Sequence, residues 1–267
     1  GNGSTNMPTP QEVLGGNNFS SISAGYYYTC AINTTGAAFC WGNNIVGELG
    51  IGNTTTNMST PQPVLGGHNF TSISSGTNHH QHTCAINTTG TAFCWGKNLN
   101  GQLGNGNTTS PLPTPQLVLG GYNFTFISSA SSNTCALNAT GSAFCWGRGD
   151  FGTLGIGNAT TMSTPQLVIG DLNFTFLASA EHTICGVTTT WNTYCWGYNV
   201  YGQLGLGIGN TTHMFTPQLV IGGYNFTSIS ATRYHTCGKT GGNEIYCWGN
   251  NAYGQLGTGF TDRLSSK

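Results

Sequence analysis

The chain has 267 residues, enough for one large domain with a sizeable core. Lys, Arg, Asp and Glu make up only 5% of it, against ~25% in an ordinary soluble domain, and the formal net charge is −1. That balance excludes a basic stripe and hence a nucleic-acid partner, and no apolar run approaches the ~18 residues of a membrane span.

In chain order, one unit of about fifty residues returns five times. It opens on a Thr-Pro pair: Thr9-Pro10, Thr60-Pro61, Thr114-Pro115, Thr164-Pro165 and Thr216-Pro217. A short alternating run follows, as in Asn69-Phe70-Thr71-Ser72-Ile73, which predicts a strand with Phe70 turned inward and Asn69 and Thr71 outward. Next comes Cys-x9-Cys-Trp-Gly, with pairs Cys30/Cys40, Cys84/Cys94, Cys135/Cys145, Cys185/Cys195 and Cys237/Cys247, which use all ten cysteines. The unit closes on Gly-Gln-Leu-Gly or a variant, ending at Leu49-Gly50, Leu103-Gly104, Leu154-Gly155, Leu204-Gly205 and Leu256-Gly257. Residues 1–10 align without gaps on residues 52–61, so the chain holds five units and reads as a single domain over 1–259 with a divergent tail at 260–267. It opens without Met and without a signal-peptide pattern, as a mature or partial product would. No stretch sustains a helical period, and 42 glycines oppose long helices.

The Cys-x9-Cys segment predicts a hairpin. With Cys30 opposite Cys40, Ala31 faces Phe39, Ile32 faces Ala38 and Asn33 faces Ala37, leaving Thr34-Thr35-Gly36 as the loop. Such a loop needs a left-handed third residue, which Gly36, Gly90 and Gly141 supply and Asn243 tolerates. Trp191 stands there in the fourth unit, so the loop between Cys185 and Cys195 is expected to differ. Directly opposed cysteines lie within reach of a disulfide, whereas the spacing is wrong for zinc; disulfides, rather than buried free thiols, imply an oxidising compartment. Glycine-punctuated short strands in a repeat of this length make the fold all-β, a β-propeller of five repeats, each with a disulfide-stapled hairpin.

His82-Thr83-Cys84-Ala85, followed by Cys94-Trp95-Gly96 and Gly101-Gln102-Leu103-Gly104, resembles the regulator of chromosome condensation repeat, and the resemblance recurs in all five units. It implies a propeller, usually of seven blades, so five units either close a smaller ring or belong to a longer array. A cysteine pair in every unit resembles extracellular members, such as the ectodomains of crinkly-type plant receptor kinases. The nucleotide-exchange and chromatin roles of nuclear members need charged surfaces that are missing here.

Asn-x-Ser/Thr occurs fourteen times, at Asn2, Asn18, Asn33, Asn53, Asn57, Asn69, Asn87, Asn107, Asn123, Asn138, Asn158, Asn173, Asn210 and Asn225. One series precedes the inward Phe (Asn18, Asn69, Asn123, Asn173, Asn225), another borders the hairpin loop (Asn33, Asn87, Asn138), and a third follows the Leu-Gly pair (Asn53, Asn107, Asn158, Asn210). Duplication copies such sites passively, but their outward positions suit N-linked glycans, which would also hydrate a nearly uncharged surface.

Other candidates are weaker. His79-His80-Gln81-His82 is the one histidine cluster, but His82, His182 and His235 share a repeat position that points to strand structure, so no metal or cofactor is assigned. Arg148-Gly149-Asp150 matches an adhesion tripeptide yet aligns with an ordinary turn. The carboxylates Glu12, Glu48, Asp150, Asp171, Glu181, Glu244 and Asp262 are scattered, and neither an acid–base pair nor a nucleophile motif emerges, so no enzyme is expected. Trp41, Trp95, Trp146, Trp196 and Trp248 read as blade packing; Trp191 is the tryptophan expected to be exposed. The composite expectation is an extracellular or cell-surface structural glycoprotein that associates with itself or with other extracellular glycoproteins, as the subunit of a filament or matrix. The alternative is a carbohydrate- or ligand-binding ectodomain.

Overall fold

The computed structural model describes residues 6–78 and 81–261. Asn2, the His79-His80 pair and most of the 260–267 tail lie outside them. Among the described residues the chain forms nineteen strands and one short 3-10 turn at Asp150–Gly152. The strands make five antiparallel meanders. The first sheet is β1 (Phe19–Ala24), β2 (Tyr28–Asn33), β3 (Ala38–Gly42) and β4 (Met58–Pro63). The second is β5 (Phe70–Ser75), β6 (His82–Asn87), β7 (Ala92–Gly96) and β8 (Leu112–Leu117). The third is β9 (Phe124–Ser129), β10 (Asn133–Asn138), β11 (Ala143–Gly147) and β12 (Met162–Leu167), and the fourth β13 (Phe174–Ser179), β14 (Thr183–Thr188), β15 (Thr193–Gly197) and β16 (Met214–Leu219). The fifth has three strands, β17 (Phe226–Ala231), β18 (His235–Thr240) and β19 (Ile245–Gly249). These are propeller blades.

The blade is phased differently from the sequence unit. From the second unit on, the Thr-Pro segment is the outer strand of the preceding blade: Cys40 faces Gln62, and Gly42 faces Met58. An outer strand has one edge free of partners, which is where a sheet accepts proline.

The hairpin register is as the cysteine spacing predicts. Cys30 faces Cys40, Ala31 faces Phe39 and Ile32 faces Ala38, and the Asn33 amide donates to the Ala37 carbonyl at 2.9 Å. All five disulfides form within hairpins: Cys30–Cys40, Cys84–Cys94, Cys135–Cys145, Cys185–Cys195 and Cys237–Cys247. Their Cα–Cα separations are 4.1–4.2 Å, the closer of the two antiparallel pair geometries. Gly36, Gly90 and Gly141 are left-handed at the loop, as is Asn243.

The hairpin closed by Cys185 and Cys195 corrects one expectation. Its loop does not differ from the others, although Trp191 replaces the usual glycine. Trp191 adopts φ 65°, Thr188 N–H donates to Asn192 O, and Trp191 N–H donates to Thr188 O, both at 2.9 Å. Cys185 faces Cys195 in the same register as in the other units, with Gly186 facing Tyr194 and Val187 facing Thr193. Ladder pairing and the disulfide below the loop override the local preference of the indole-bearing residue. A second feature at Cys195 lay beyond the hairpin reading. On its other edge Cys195 faces Gln218, and the register shifts before Gly197 meets Met214. The same irregularity follows Cys40, Cys94 and Cys145. The glycine after each Cys-Trp has positive φ, 99° at Gly197, which lets the strand bulge there.

The apolar core lies between blades. Cys30, Ile32, Cys40 and Leu49 of the first unit pack with Phe70, Ala85 and Trp95 of the second. Equivalent clusters centre on Trp146 and Trp196, and a fourth joins Cys185, Cys195 and Leu204 to Phe226 and Trp248. Phe70 is buried while Asn69 and Thr71 are exposed, as the alternation predicts. Each joint is pinned by a hydrogen bond from a Trp Nε1 to a carbonyl of the preceding blade: Trp95 to Glu48, Trp146 to Gln102 and Trp248 to Gln203 at 2.9 Å, and Trp196 to Thr153 at 3.0 Å. The glycine two residues beyond that carbonyl lies under the indole; a Cβ on Gly50 would sit 2.8 Å from Trp95 Nε1. That contact explains the Leu-Gly ending of the unit.

Candidate functional site

The glycan-acceptor asparagines fall into three geometries. In the hairpin series, Asn33 Oδ1 accepts from Thr35 N–H (3.1 Å), Thr35 Oγ1–H (2.8 Å) and Ala37 N–H (2.9 Å). Asn87 and Asn138 repeat the arrangement. In the series after Leu-Gly, Asn53, Asn107, Asn158 and Asn210 accept from the amides of Thr55, Thr109, Thr160 and Thr212 at 2.8–3.3 Å. These are Asx turns, in which the side-chain oxygen shapes the loop and the amide nitrogen, the atom a glycan would occupy, points away from that task. Asn57, which is exposed, accepts from the Asn44 amide at 3.0 Å.

The Asn-Phe series differs. Asn18, Asn69, Asn123, Asn173 and Asn225 occupy one repeat position, and Asn225 at its end is exposed. The hydroxyl two residues on has a structural task, donating across the ladder from Ser20 to Ile32 O, Thr71 to Ile86 O, Thr125 to Leu137 O, Thr175 to Val187 O and Thr227 to Lys239 O, at 3.1–3.4 Å. No side-chain hydrogen bond engages the asparagines of this series among the described residues. Folding therefore explains the recurrence of Asn-x-Thr in the two turn series; in the Asn-Phe series it explains the hydroxyl but not the asparagine.

A polar cluster missed by sequence reasoning gathers at the turns between the first and second strands of the blades. Glu181 receives Asn78 Nδ2–H at 3.1 Å from the second unit and pairs with Arg233 NH1 of the fifth at 3.2 Å; its main-chain carbonyl accepts Asn133 Nδ2–H of the third at 3.2 Å. His182 Nε2 lies 3.5 Å from Glu181 Oε1. Burial holds the His182 imidazole below its ordinary range, against the opposing pull of Glu181. The only signal in the sequence was position: these residues occupy the variable slot before Thr-Cys.

The remaining candidates are placed plainly. Arg148 pairs with Asp150 at 2.6 Å, tying together the two charges that a receptor of the tripeptide would read, and Gly149 between them is buried. Glu48 is fully buried, accepts from Asn43 Nδ2–H at 2.7 Å and Val46 N–H at 2.9 Å, and is pushed up from the ordinary carboxylate range by burial. His82 is buried, with Nε2 2.8 Å from Thr134 Oγ1. Among the described residues no three His, Cys, Asp or Glu side chains come together as metal ligands, and no helix is long and apolar enough to cross a membrane. Trp95, Trp146 and Trp196 are completely buried, whereas Trp191 stands half-exposed at a loop tip. The cysteines are joined in pairs and are not reactive thiols; Cys195, like Cys185, has no exposed surface and serves the joint between the fourth and fifth blades. Disulfides in every hairpin are of the kind an oxidising compartment permits.

Comparison with known proteins places this geometry. The regulator of chromosome condensation (RCC1) repeat matches residues 35–86, 89–137, 140–190 and 192–238, and a second RCC1 repeat description matches residues 19–48 and 226–255. The chain is 32% identical over 259 residues to the ultraviolet-B receptor UVR8 of Arabidopsis thaliana, covering 94% of this chain and 58% of that protein. Its fold superposes on Prp20p of Saccharomyces cerevisiae, which is described with binding properties to Gsp1p and histones, with a TM-score of 0.77 and 18% identity, covering 92% of this chain and 62% of that one. It also superposes on the ectodomain of the Physcomitrella patens receptor kinase CR4, with a TM-score of 0.58 and 23% identity, covering 87% and 52%. The chain thus spans little more than half the length of these relatives. Five sheets of one repeat, joined by a recurring tryptophan-to-carbonyl bond and matched by both descriptions of the motif, assign the chain to the regulator of chromosome condensation (RCC1) repeat family.

Proposed function

We propose that this propeller is an extracellular structural glycoprotein, a sugar-clad subunit of a filament or matrix. The observation that carries the reading is the Asn-Phe series: five asparagines, one per unit, each within a glycan-acceptor triplet and with no fold-making hydrogen bond from its side chain among the described residues. Glycans there would hydrate a surface on which charged residues are 5% of the chain, and disulfides in every blade suit life outside the reducing cell interior. No catalytic step is proposed. The test is the mass and form of the protein from its source. Intact mass well above the 28.0 kDa polypeptide, falling after N-glycan release, together with polymeric particles in electron micrographs, supports it. A bare mass and isolated monomers would overturn it.

A second reading is favoured by Trp191 alone. Its half-exposed indole, on the loop of the hairpin that Cys185–Cys195 closes, is a stacking platform for a sugar ring, as a ligand-binding ectodomain would need. A glycan array with wild-type chain and Trp191→Gly separates this reading from the first.

A further inference from the structure

Resting on that structural reading, we propose that the N-linked glycans at Asn123 and Asn173 fold back onto the protein, each lying in a surface groove that its own asparagine lines and covering apolar side chains that the fold leaves bare. Asn123 lines a groove of about 220 Å³ together with Thr91 and Ala92 of one hairpin, Leu117 and Leu119 at the end of β8, and Tyr122. Asn173 lines one of about 280 Å³ with Ser142, Ala143, Leu167 and Leu172. These four are the counterparts, one unit later, of Thr91, Ala92, Leu117 and Tyr122. One groove therefore recurs in successive units, with a glycan acceptor at the same point of its lining.

The backbone delivers each asparagine to its groove and holds it there. Gly120 and Gly121 have positive φ, 106° and 64°, and Gly170 and Asp171 repeat the pair at 122° and 50°. Two such residues in succession make a sharp turn between the end of the outer strand and the asparagine. Phe124 N–H then donates to Gly90 O at 2.8 Å, and Asn123 O accepts from Ala139 N–H at 3.2 Å. At the second groove Phe174 N–H donates to Gly141 O at 2.8 Å, and Asn173 O accepts from Thr189 N–H at 2.9 Å. Both asparagines are thus tied to two hairpin loops through the main chain, while both residues stay exposed. A glycan attached at either one starts from a fixed stalk.

The groove also has something to cover. Leu117 and Leu119 are 51% and 43% exposed, whereas Val118 between them is buried; Leu167 and Ile169, at 55% and 50%, flank a buried Val168. A strand with one face in water ordinarily alternates apolar with polar residues, and here both sets are apolar. On a surface so short of charge, bare aliphatic side chains favour association with whatever is near. A pyranose ring carries C–H groups on its faces and hydroxyls around its rim, so it lies on leucine and still presents hydroxyls to water. The tether decides the occupant. A glycan on Asn123 or Asn173 is held beside the groove at an effective concentration that no free partner matches. Covering on the order of 50 Å² of apolar surface corresponds to about a tenfold preference for the docked over the free glycan.

The experiment uses the 267-residue chain secreted by a host that adds N-linked glycans, with occupancy at each site read by glycopeptide mass spectrometry. Release by a peptide N-glycosidase from the folded protein should be about tenfold slower at Asn123 and Asn173 than at Asn107 and Asn158, which sit in exposed turns, and equal at all four after unfolding. Replacing Leu117 and Leu119 together by Ser should bring release at Asn123 up to the turn rate, which a merely crowded asparagine would not do. Hydroxyl-radical labelling of Leu117 and Leu119 should rise several-fold in Asn123→Gln and leave Leu167 unchanged, with the converse for Asn173→Gln. Thr89 of the Asn87 triplet also lines the first groove, so Asn87→Asp, which keeps a carboxyl oxygen to accept the turn's hydrogen bonds, is the control and should leave Leu117 labelling as it was. Occupied sites released at the turn rate, with Leu117 labelled equally with and without the Asn123 glycan, would overturn the docking and leave the structural reading standing. A rise of Leu117 labelling in Asn87→Asp would overturn the assignment to Asn123. Bare asparagines at 123 and 173 would overturn the docking and remove the support that the Asn-Phe series gives to the structural reading.

Discussion

Trp146 donates its Nε1–H to the main-chain carbonyl of Gln102, 2.9 Å away, and through that bond the third blade is fastened to the second. The indole is completely buried and packs on Phe124 of its own blade and Leu103 of the one before. We expect Trp146→Ala to cost about 3–5 kcal/mol in urea unfolding. Trp146→Phe keeps much of the packing and loses the bond, while the Gln102 carbonyl still accepts from Thr134 Oγ1–H at 2.9 Å, so its cost should be smaller, with the lost bond contributing about 0.5–1.5 kcal/mol. Equal losses for both variants would assign the stability to the hydrogen bond rather than to ring burial.

The cysteines of the first four hairpins, Cys30 through Cys195, have zero exposure, and only the fifth pair is more open. Native protein treated with a mild reductant and an alkylating agent should therefore lose Cys237–Cys247 first, with the other pairs reacting only after denaturation. Replacing Cys135 and Cys145 together by Ala should cost about 2–3 kcal/mol, as for a short ring. Peptide mapping by mass spectrometry gives the order of reaction.

Trp191 holds φ 65°, a conformation that a side chain makes costly. Trp191→Gly should raise stability by about 1 kcal/mol and leave the Cys185–Cys195 hairpin unchanged. A thermal melt that moves down instead would show that the indole makes a stabilising contact at the loop.

Two buried groups should make stability depend on pH in opposite senses. Burial lowers the His182 pKa below its ordinary 6.5, so the unfolded chain takes up a proton first and stability falls as pH drops from 6.5 toward the lowered value. Burial raises the Glu48 pKa above its ordinary 4.5, so its contribution is full below 4.5 and is lost as pH rises through the raised value. Glu48→Gln should therefore gain on wild type at neutral pH and show no gain below the ordinary carboxylate value. Gln255 shows how the variant fits: its Nε2 donates to Asn250 Oδ1 at 2.7 Å, the reverse of the Asn43–Glu48 bond. Melting curves across pH for wild type, Glu48→Gln and His182→Gln separate the two slopes.

Local periodicity carried the hairpins. Opposed cysteines and a left-handed third loop residue are consequences of a few neighbouring positions, and the ladder of Cys30 to Ile32 against Ala38 to Cys40 follows from them directly. In the fourth unit local preference misled, because Trp191 argued for a different loop while the pairing of Cys185 with Cys195 held the common one. The phase of the blade was not legible, because a repeat looks the same wherever it is cut; only the pairing of Cys40 with Gln62, or of Cys195 with Gln218, shows that Thr60-Pro61 and Thr216-Pro217 belong to the blade before. Glu181 was hidden for a different reason. Its partners Asn78 and Arg233 come from two other units, and only the curvature of the array brings them together. The asparagine triplets were visible but had two causes at once, as the Asn33 side chain with its three accepted bonds and the Asn69 side chain with none among the described residues demonstrate.

Every apolar cluster straddles two sheets, so a single blade has almost no interior of its own. Duplicating or deleting one unit would alter the tally of joints by one and leave the others as they were. Unequal recombination between neighbouring copies would then yield offspring that still fold, and the length of the molecule is free to drift under selection without redesign of any side chain.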